Sequence, residues 1–462
     1  MKRAWERELD IIQNAVPCYL ADDNEVLWED QSTVPEQAQD FRAKLHFHSQ
    51  VPGSRAHESI CTAAIQATEN KGMIVEDGVR LLEEGLAAVE SGDAVAMHKS
   101  EQAVFNACYS AKKDEKSPYW AQTFYDTFED YAKAVDFPKF SVDIDAKADA
   151  FYAGWLAQII GGAYGTCLEG YTGRAIREKY NGAPRRYVRK PNTYNDDNTY
   201  ELALLIAHRD HGKATTARDI AAEWVARIPS GWSAEEWALD HLKVGIMPPE
   251  SGSFHNPFSE WIGAQMRGAI CGQLYPGDLY GAARCAWMDA TVSHEHNGIL
   301  GEVFNALLVS MSFAESDVKK ILDTCIGLIP ADSEYGTVIR FAYEQCRKNA
   351  SYIDAMAACE KKYDHYNWIH AYPNACAEVI ALWYGGGDFE ETLAITGGCG
   401  QDVDCNAAQV MTVLGTILGS DAIPAYWKEP FGDEMITYVR GFKQLSIRGL
   451  AKLTQDVASS LR

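Results

Sequence analysis

From Phe151 onward almost every segment places its apolar residues at helical spacing and is rich in Ala and Gly, while strand signals are weak along the whole chain. Such helices bury their faces only against other helices, so the predicted fold class is all-α: a helical bundle whose loops carry the chemistry. Two runs typify it. One holds Tyr200, Leu202, Ala203, Leu204, Leu205, Ile206 and Ala207; the other holds Ala407, Ala408, Val410, Met411, Val413, Leu414, Ile417 and Leu418. In the second run Gly415 and Gly419 would admit a close backbone neighbour, and Ile423-Pro424 ends the helix. Residues 150–168 contain no charge, yet Gln158 and four glycines mark them as a buried helix closing in a Gly-rich turn rather than a membrane span.

Residues 1–145 show helical patterns separated by short breaks. Residues 73–89 are predicted as one helix and residues 119–135 as a second, rich in aromatics. Pro138 followed by Asp143, Asp145 and Asp149 marks a boundary. The expected organisation is a helical N-terminal accessory region, 1–145, and a catalytic domain, 146–462.

A net charge of −23 disfavours nucleic acid and anionic membranes as partners. Twelve scattered cysteines without a CxxC pair read as reduced thiols. The opening Met1-Lys2-Arg3-Ala4-Trp5-Glu6 turns acidic too early for a signal peptide, so the expected location is cytoplasmic. The oligomeric state is not legible.

Two acidic motifs, Asn195-Asp196-Asp197-Asn198 and Asp402-Val403-Asp404-Cys405, immediately precede the two apolar runs. Asp and Asn are favoured N-caps, but each motif carries one carboxylate more than capping uses. Burying the surplus is costly without a counter-ion, so the pair reads as a two-metal site built from two helix N-termini.

Four segments carry a resemblance to the ADP-ribosylglycohydrolase family. Residues 153–170 are similar to its opening helix and turn, with Gly161, Gly165, Glu169 and Gly170 in place and Gly162 where Asp is usual. Asn195-Asp196-Asp197-Asn198 resembles its TDDT motif with both hydroxyl residues replaced. Gly263 through Met266 and Arg267 to His294 is similar to its NGxxMR loop and later His, with Ile262 in the place of Asn. Asp388-Phe389-Glu390, Gly397-Gly398, residues 402–408 and Ile423-Pro424-Ala425-Tyr426-Trp427 resemble the DFE…GGDTDT(C)NAA…IPxxW signature of a bacterial branch.

That resemblance implies an all-α fold in which Asp196, Asp197, Asp402 and Asp404 hold two Mg²⁺ or Mn²⁺ ions, with Asn195 and Cys405 in positions the family fills with threonine. It implies Glu169 and Asp402 as catalytic residues. It further implies substrate contacts from Gly162, Gly263, Ala264, Met266, His294, Gly298, His370, Asn374, Gly398 and Gly400. The expected activity is hydrolysis of the anomeric bond of a small-molecule or protein-attached ADP-ribosyl or ribosyl compound. The alternatives are a hydrolase of a free nucleoside or small riboside, and a non-catalytic binding protein.

Three further features bear on the choice. His294 and His296 lie two residues apart, which denies them the shared helix face of a zinc HExxH motif. Arg174, Arg177, Lys179, Arg185, Arg186, Arg189 and Lys190 face only Glu178 between the first two segments; they either bind a phosphate or balance nearby acids on a solvated loop. His46-Phe47-His48 has no partner motif and reads as surface or core detail.

Overall fold

Glycine sets the distance between the two central helices. In the computed structural model, which describes residues 1–16 and 28–462 (backbone only for 28–31), helix Ala148–Gly165 lies against helix Val403–Leu418 along its length. A Cβ on Gly165 would sit 2.2 Å from the Asp404 nitrogen, and one on Gly415 would sit 2.3 Å from the Ala153 carbonyl oxygen. Backbone meets backbone at both ends of the contact, as expected at Gly415, whereas Gly419 lies past the helix as its C-cap and faces the Asp149 carboxylate. The second helix stops at Leu418, before Ile423-Pro424, because Gly419 takes a left-handed φ of 78° as its C-cap.

The fold is all-α. Helices Asp197–His211, Gly268–Leu274, Leu279–Ala290, His296–Ser312, Ala371–Gly385, Phe389–Cys399 and Ile447–Ser460 surround the central pair. The strands among the described residues form four short antiparallel pairs, of which Tyr171–Thr172 with Gly400–Gln401 lies at the site. Buried apolar residues from Ala43 to Leu461 form one continuous core. No helix among the described residues is long and apolar enough to cross a membrane. Of the described cysteines all are free and only Cys167 is not buried; Cys18 lies outside the described residues.

Two expected helices are shorter than their apolar spacing suggests. In 73–89 the helix begins at Gly78, since Met73–Ile74 pairs with Lys112–Lys113 and Asp77 takes a φ of 59°. In 119–135 there is a 3-10 turn, Pro118–Ala121, and then only Phe128–Lys133, started by Thr127 accepting from the Asp130 N–H. Its buried aromatics are split between the two, Tyr119 in the turn and Phe128 and Tyr131 in the short helix.

The N-terminal helices Trp28–Phe47, Ile60–Asn70, Gly78–Ser91 and Ala94–Tyr109 pack on one another and dock through a buried histidine. His46 Nδ1 lies 2.7 Å from Glu101 and its Nε2 3.5 Å from Glu236 of helix Ser233–Lys243, with Arg42 ion-paired to Glu236 and Asp240 beside it. Burial lowers the His46 pKa, but the bonds to Glu101 and Glu236 outweigh it and raise the value to about 9. A value raised above that of the unfolded chain contributes stability below pH 6.5 and loses it as pH rises through 9. The size of that term is at most about 3 kcal/mol.

Two outcomes follow for stability. The unfolding free energy of His46→Gln should fall below that of the native chain at pH 6, and the gap should close by pH 10; a gap independent of pH would contradict the assignment. Gly415→Ala should cost about 1–3 kcal/mol in denaturant titration, because a Cβ there has only backbone to push against.

Candidate metal centre

One helix end and two helix starts converge here. Helix Ala148–Gly165 closes with Thr166, whose N–H and hydroxyl both donate to the Gly162 carbonyl, at 3.0 and 2.7 Å. Gly170, at a φ of 77°, then redirects the chain and donates to the Gln401 carbonyl at 3.0 Å. With Tyr171–Thr172 paired to Gly400–Gln401, Glu169 is fixed beside the loop that enters helix Val403–Leu418. Asp402 is the N-cap residue of that helix and Asp404 lies in its first turn. Asp196 is the N-cap residue of helix Asp197–His211. Asn195 links the two motifs: its Oδ1 accepts from the Asp197 N–H at 2.6 Å and its Nδ2 donates to Asp404 at 3.2 Å.

The carboxylates gathered here are short of donors. Both oxygens of Asp197 and Oδ1 of Asp402 and of Asp404 are buried without a hydrogen-bond partner. Burial first, then the charge on Asp404, holds the pKa of Glu169, Asp197 and Asp402 well above the ordinary carboxylate range. A buried acid cluster of this kind is costly unless neutralised, and orphaned carboxylate oxygens are the donors that hard divalent cations take. The orphaned oxygens of Asp402 and Asp404, with those of Asp197, therefore fit a hard divalent cation. Ligand atoms of Asp402, Asp404 and Cys405 lie within 4.8 Å of one another. Burial, then Asp197 and Asp402, pushes the Cys405 thiol well up, so it stands as neutral sulfur 3.7 Å from Met266 Sδ.

The residues expected to touch substrate divide into two groups. Gly162 faces the acids, a Cβ there lying 3.2 Å from Asn195 Nδ2 and 3.7 Å from Asp197. Met266 reaches Cys405. Asn374 holds the Asp402 loop from beneath: its Oδ1 accepts from the Asp402 N–H at 3.0 Å and from Asn406 Nδ2 at 2.8 Å. The others are engaged by neighbouring protein groups. Gly263 backs onto the Glu235 carboxylate, and the Ala264 N–H donates to His294 Nε2 at 3.2 Å while Ser293 meets its Nδ1 at 2.7 Å. Burial, then Arg267, keeps His294 neutral. Gly298 packs on the Ser259 carbonyl, and His370 caps its helix by accepting from the Tyr372 N–H. The Gly398 carbonyl accepts from Arg177, and Gly400 pairs with Thr172.

Two features were not read from the sequence. The first is the support under the site. Fully buried Arg267 donates to Asp289 at 2.5 Å, to Glu235 at 3.1 Å and to the Gly263 carbonyl at 2.8 Å, with the Tyr200 and Trp224 rings against its guanidinium. The second is a cavity of about 320 Å³ that opens on exposed Asp196 and is lined by Tyr194, Tyr200, Trp232 and Tyr438. A Thr193 hydroxyl shared between Ile436 N–H and carbonyl clips the two loops that bring Tyr194 to Tyr438, their rings 5.3 Å apart. Tyr438 lies more than two hundred residues from Tyr194, and no local motif announces the pair. A larger cavity, about 520 Å³, lies around Arg42 and His46, and no metal-site carboxylate lines it.

The basic stretch is largely committed to the fold. Arg177 donates to the Gly398 carbonyl, Arg185 pairs with Glu391 at 2.6 Å, Arg186 covers the Tyr426 ring, and Arg189 donates to the Gly53 carbonyl at 3.0 Å.

The ADP-ribosylglycohydrolase family profile matches residues 143–458. An uncharacterised protein of Archaeoglobus fulgidus is 26% identical over 295 residues, covering 60% of this chain and 90% of its own length. A solved structure described as an ADP-ribosylglycohydrolase-related protein complex aligns with a TM-score of 0.48 at 17% identity, over 69% of this chain and all of that one. With the match spanning well over half the chain, this protein belongs to the ADP-ribosylglycohydrolase family.

Proposed function

We propose that this glycohydrolase-family chain cleaves the anomeric bond of a ribosyl compound with the aid of two divalent cations held by Asp196, Asp197, Asp402 and Asp404. The observation that carries the reading is the set of buried, partnerless carboxylate oxygens on Asp197, Asp402 and Asp404, drawn together from two helix starts beside Glu169. Bound cations of this class would orient vicinal sugar hydroxyls and lower the pKa of a coordinated water.

The protein's own groups supply the rest. Glu169, half-buried at the end of its turn, is placed to take or give a proton at its carboxylate next to Asp404. Asn374 and Asn406 hold the Asp402 loop, and Asn195 keeps the two motifs in register. Arg267 anchors the Gly263 loop from the interior.

Within this chemistry, a small riboside is favoured over a substrate recognised through its diphosphate. The reading rests on the contacts of the basic stretch, where Arg177, Arg185 and Arg186 already meet a carbonyl, a carboxylate and a ring.

Calorimetric titration with Mn²⁺ should show binding that Asp404→Ala abolishes and Cys405→Ser preserves; equal loss in both variants would make the thiol a ligand. Glu169→Gln should lower kcat on a ribosyl substrate by about 10²–10⁴-fold while Mn²⁺ affinity is retained. Unchanged turnover in that variant, with metal in excess, would remove Glu169 from the reaction.

A further inference from the structure

The N-terminal hairpin formed by Ser49–Gln50 and His57–Glu58 reaches the metal centre, although the family match begins only at residue 143. Its tip is closed by the Val51 N–H donating to the Ala56 carbonyl and the Arg55 N–H donating to Val51, at 2.9 and 2.8 Å. This tip lies against the turn that carries Glu169. A Cβ added to Gly53 would lie 2.1 Å from the Thr166 carbonyl oxygen and 2.9 Å from Glu169 Oε1, and one on Gly170 would meet Ala56 at 2.5 Å. Two donors pin the tip there: Arg189 to the Gly53 carbonyl at 3.0 Å and the Tyr171 hydroxyl to the Ser54 carbonyl at 3.1 Å. The Glu169 side of the site thus has a fixed wall drawn from outside the family match.

The far strand of the same hairpin serves the aromatic cavity. Glu58 Oε1 accepts from the Trp232 indole N–H at 2.9 Å, and the Ser49 hydroxyl meets the other Glu58 oxygen at 3.3 Å. Trp232 follows the Pro229-Ser230-Gly231 turn, and its indole N–H is held by a residue of the N-terminal region. With Tyr194, Tyr200 and Tyr438 it lines the space of about 320 Å³ beside Asp196. That volume is at the lower end of small-molecule sites, which suits one ring system rather than a diphosphate-bridged dinucleotide. Aromatic walls favour a planar π-faced group.

We propose that hairpin Ser49–Glu58 is a specificity element of the substrate site: its tip walls the Glu169 side, and Glu58 holds Trp232 in a cavity that receives the planar base of a small riboside and disfavours protein-attached substrates. The proposal rests on the glycohydrolase reading for its kinetics, but base binding tests it separately. Glu58 is a positioning residue and acts through Trp232.

The experiment uses the full-length protein with Mn²⁺ and three substrates: a purine nucleoside, methyl riboside and an ADP-ribosylated peptide. Tryptophan fluorescence is titrated in parallel with free adenine. The native chain should favour the nucleoside over methyl riboside in kcat/KM by about 10-fold or more. Glu58→Ala and Trp232→Ala should collapse that ratio, chiefly through the KM for the nucleoside, and should weaken adenine binding to a similar degree. Glu58→Gln, which keeps an acceptor for the indole, should retain both. An unchanged ratio in Glu58→Ala, or turnover of the peptide equal to that of the nucleoside, would overturn the proposal. If the native chain hydrolyses none of the three, the glycohydrolase reading fails, and adenine titration alone decides: binding weakened by Glu58→Ala supports the cavity assignment, and the absence of adenine binding refutes it.

Discussion

The close crossing of helices Ala148–Gly165 and Val403–Leu418 is the constraint on which the site depends. Gly165 faces the backbone of Asp404, and Gly415 faces that of Ala153. At ordinary helix spacing, the turn that ends in Glu169 would stand away from the Asp402–Asp404 loop. The short strand pair between Tyr171–Thr172 and Gly400–Gln401 then locks the register of the two loops. Packing of small residues therefore sets the position of the Glu169 turn against Asp402 and Asp404.

This packing gathers buried acids whose ionised forms are held down by burial and by one another. Arg267, the fully buried cation nearby, is committed to Glu235, Asp289 and the Gly263 carbonyl, so it does not serve the cluster of Asp197, Asp402 and Asp404. The two buried polar systems are separate in role. The Arg267 network carries its own buried cation, paired to Glu235, Asp289 and Glu302, and supports the Gly263 loop, although Asp289 Oδ1 and Glu302 Oε2 lack hydrogen-bond donors. The acid cluster is left with oxygens that lack donors, the condition in which cations add most to stability as well as to chemistry.

Much of this was legible in the chain. Apolar spacing after Asp197 and Asp404 gave both helices, the Gly415 spacing gave the close approach, and the surplus carboxylate in each motif gave the reason to suspect cations. Where reading failed, the cause was pairing at a distance. Met73–Ile74 has helical spacing but is held as a strand by Lys112–Lys113, and the aromatics of 119–135 are divided between a 3-10 turn and a short helix. His46, taken as surface or core detail, ties helix Trp28–Phe47 to Glu101 and Glu236. Trp232 depends on Glu58, and Tyr194 on Tyr438; neither pair leaves a local pattern, because its members meet only after the fold has formed.

The account turns on whether cations occupy the acid cluster. Anomalous diffraction at the manganese edge, from crystals equilibrated with Mn²⁺, tests this most directly. The account predicts density enclosed by the carboxylates of Asp196, Asp197, Asp402 and Asp404, with oxygen ligands and the Cys405 sulfur outside bonding distance. An acid cluster that stays free of manganese at saturating concentration, its carboxyl groups bonded to one another instead, would contradict it.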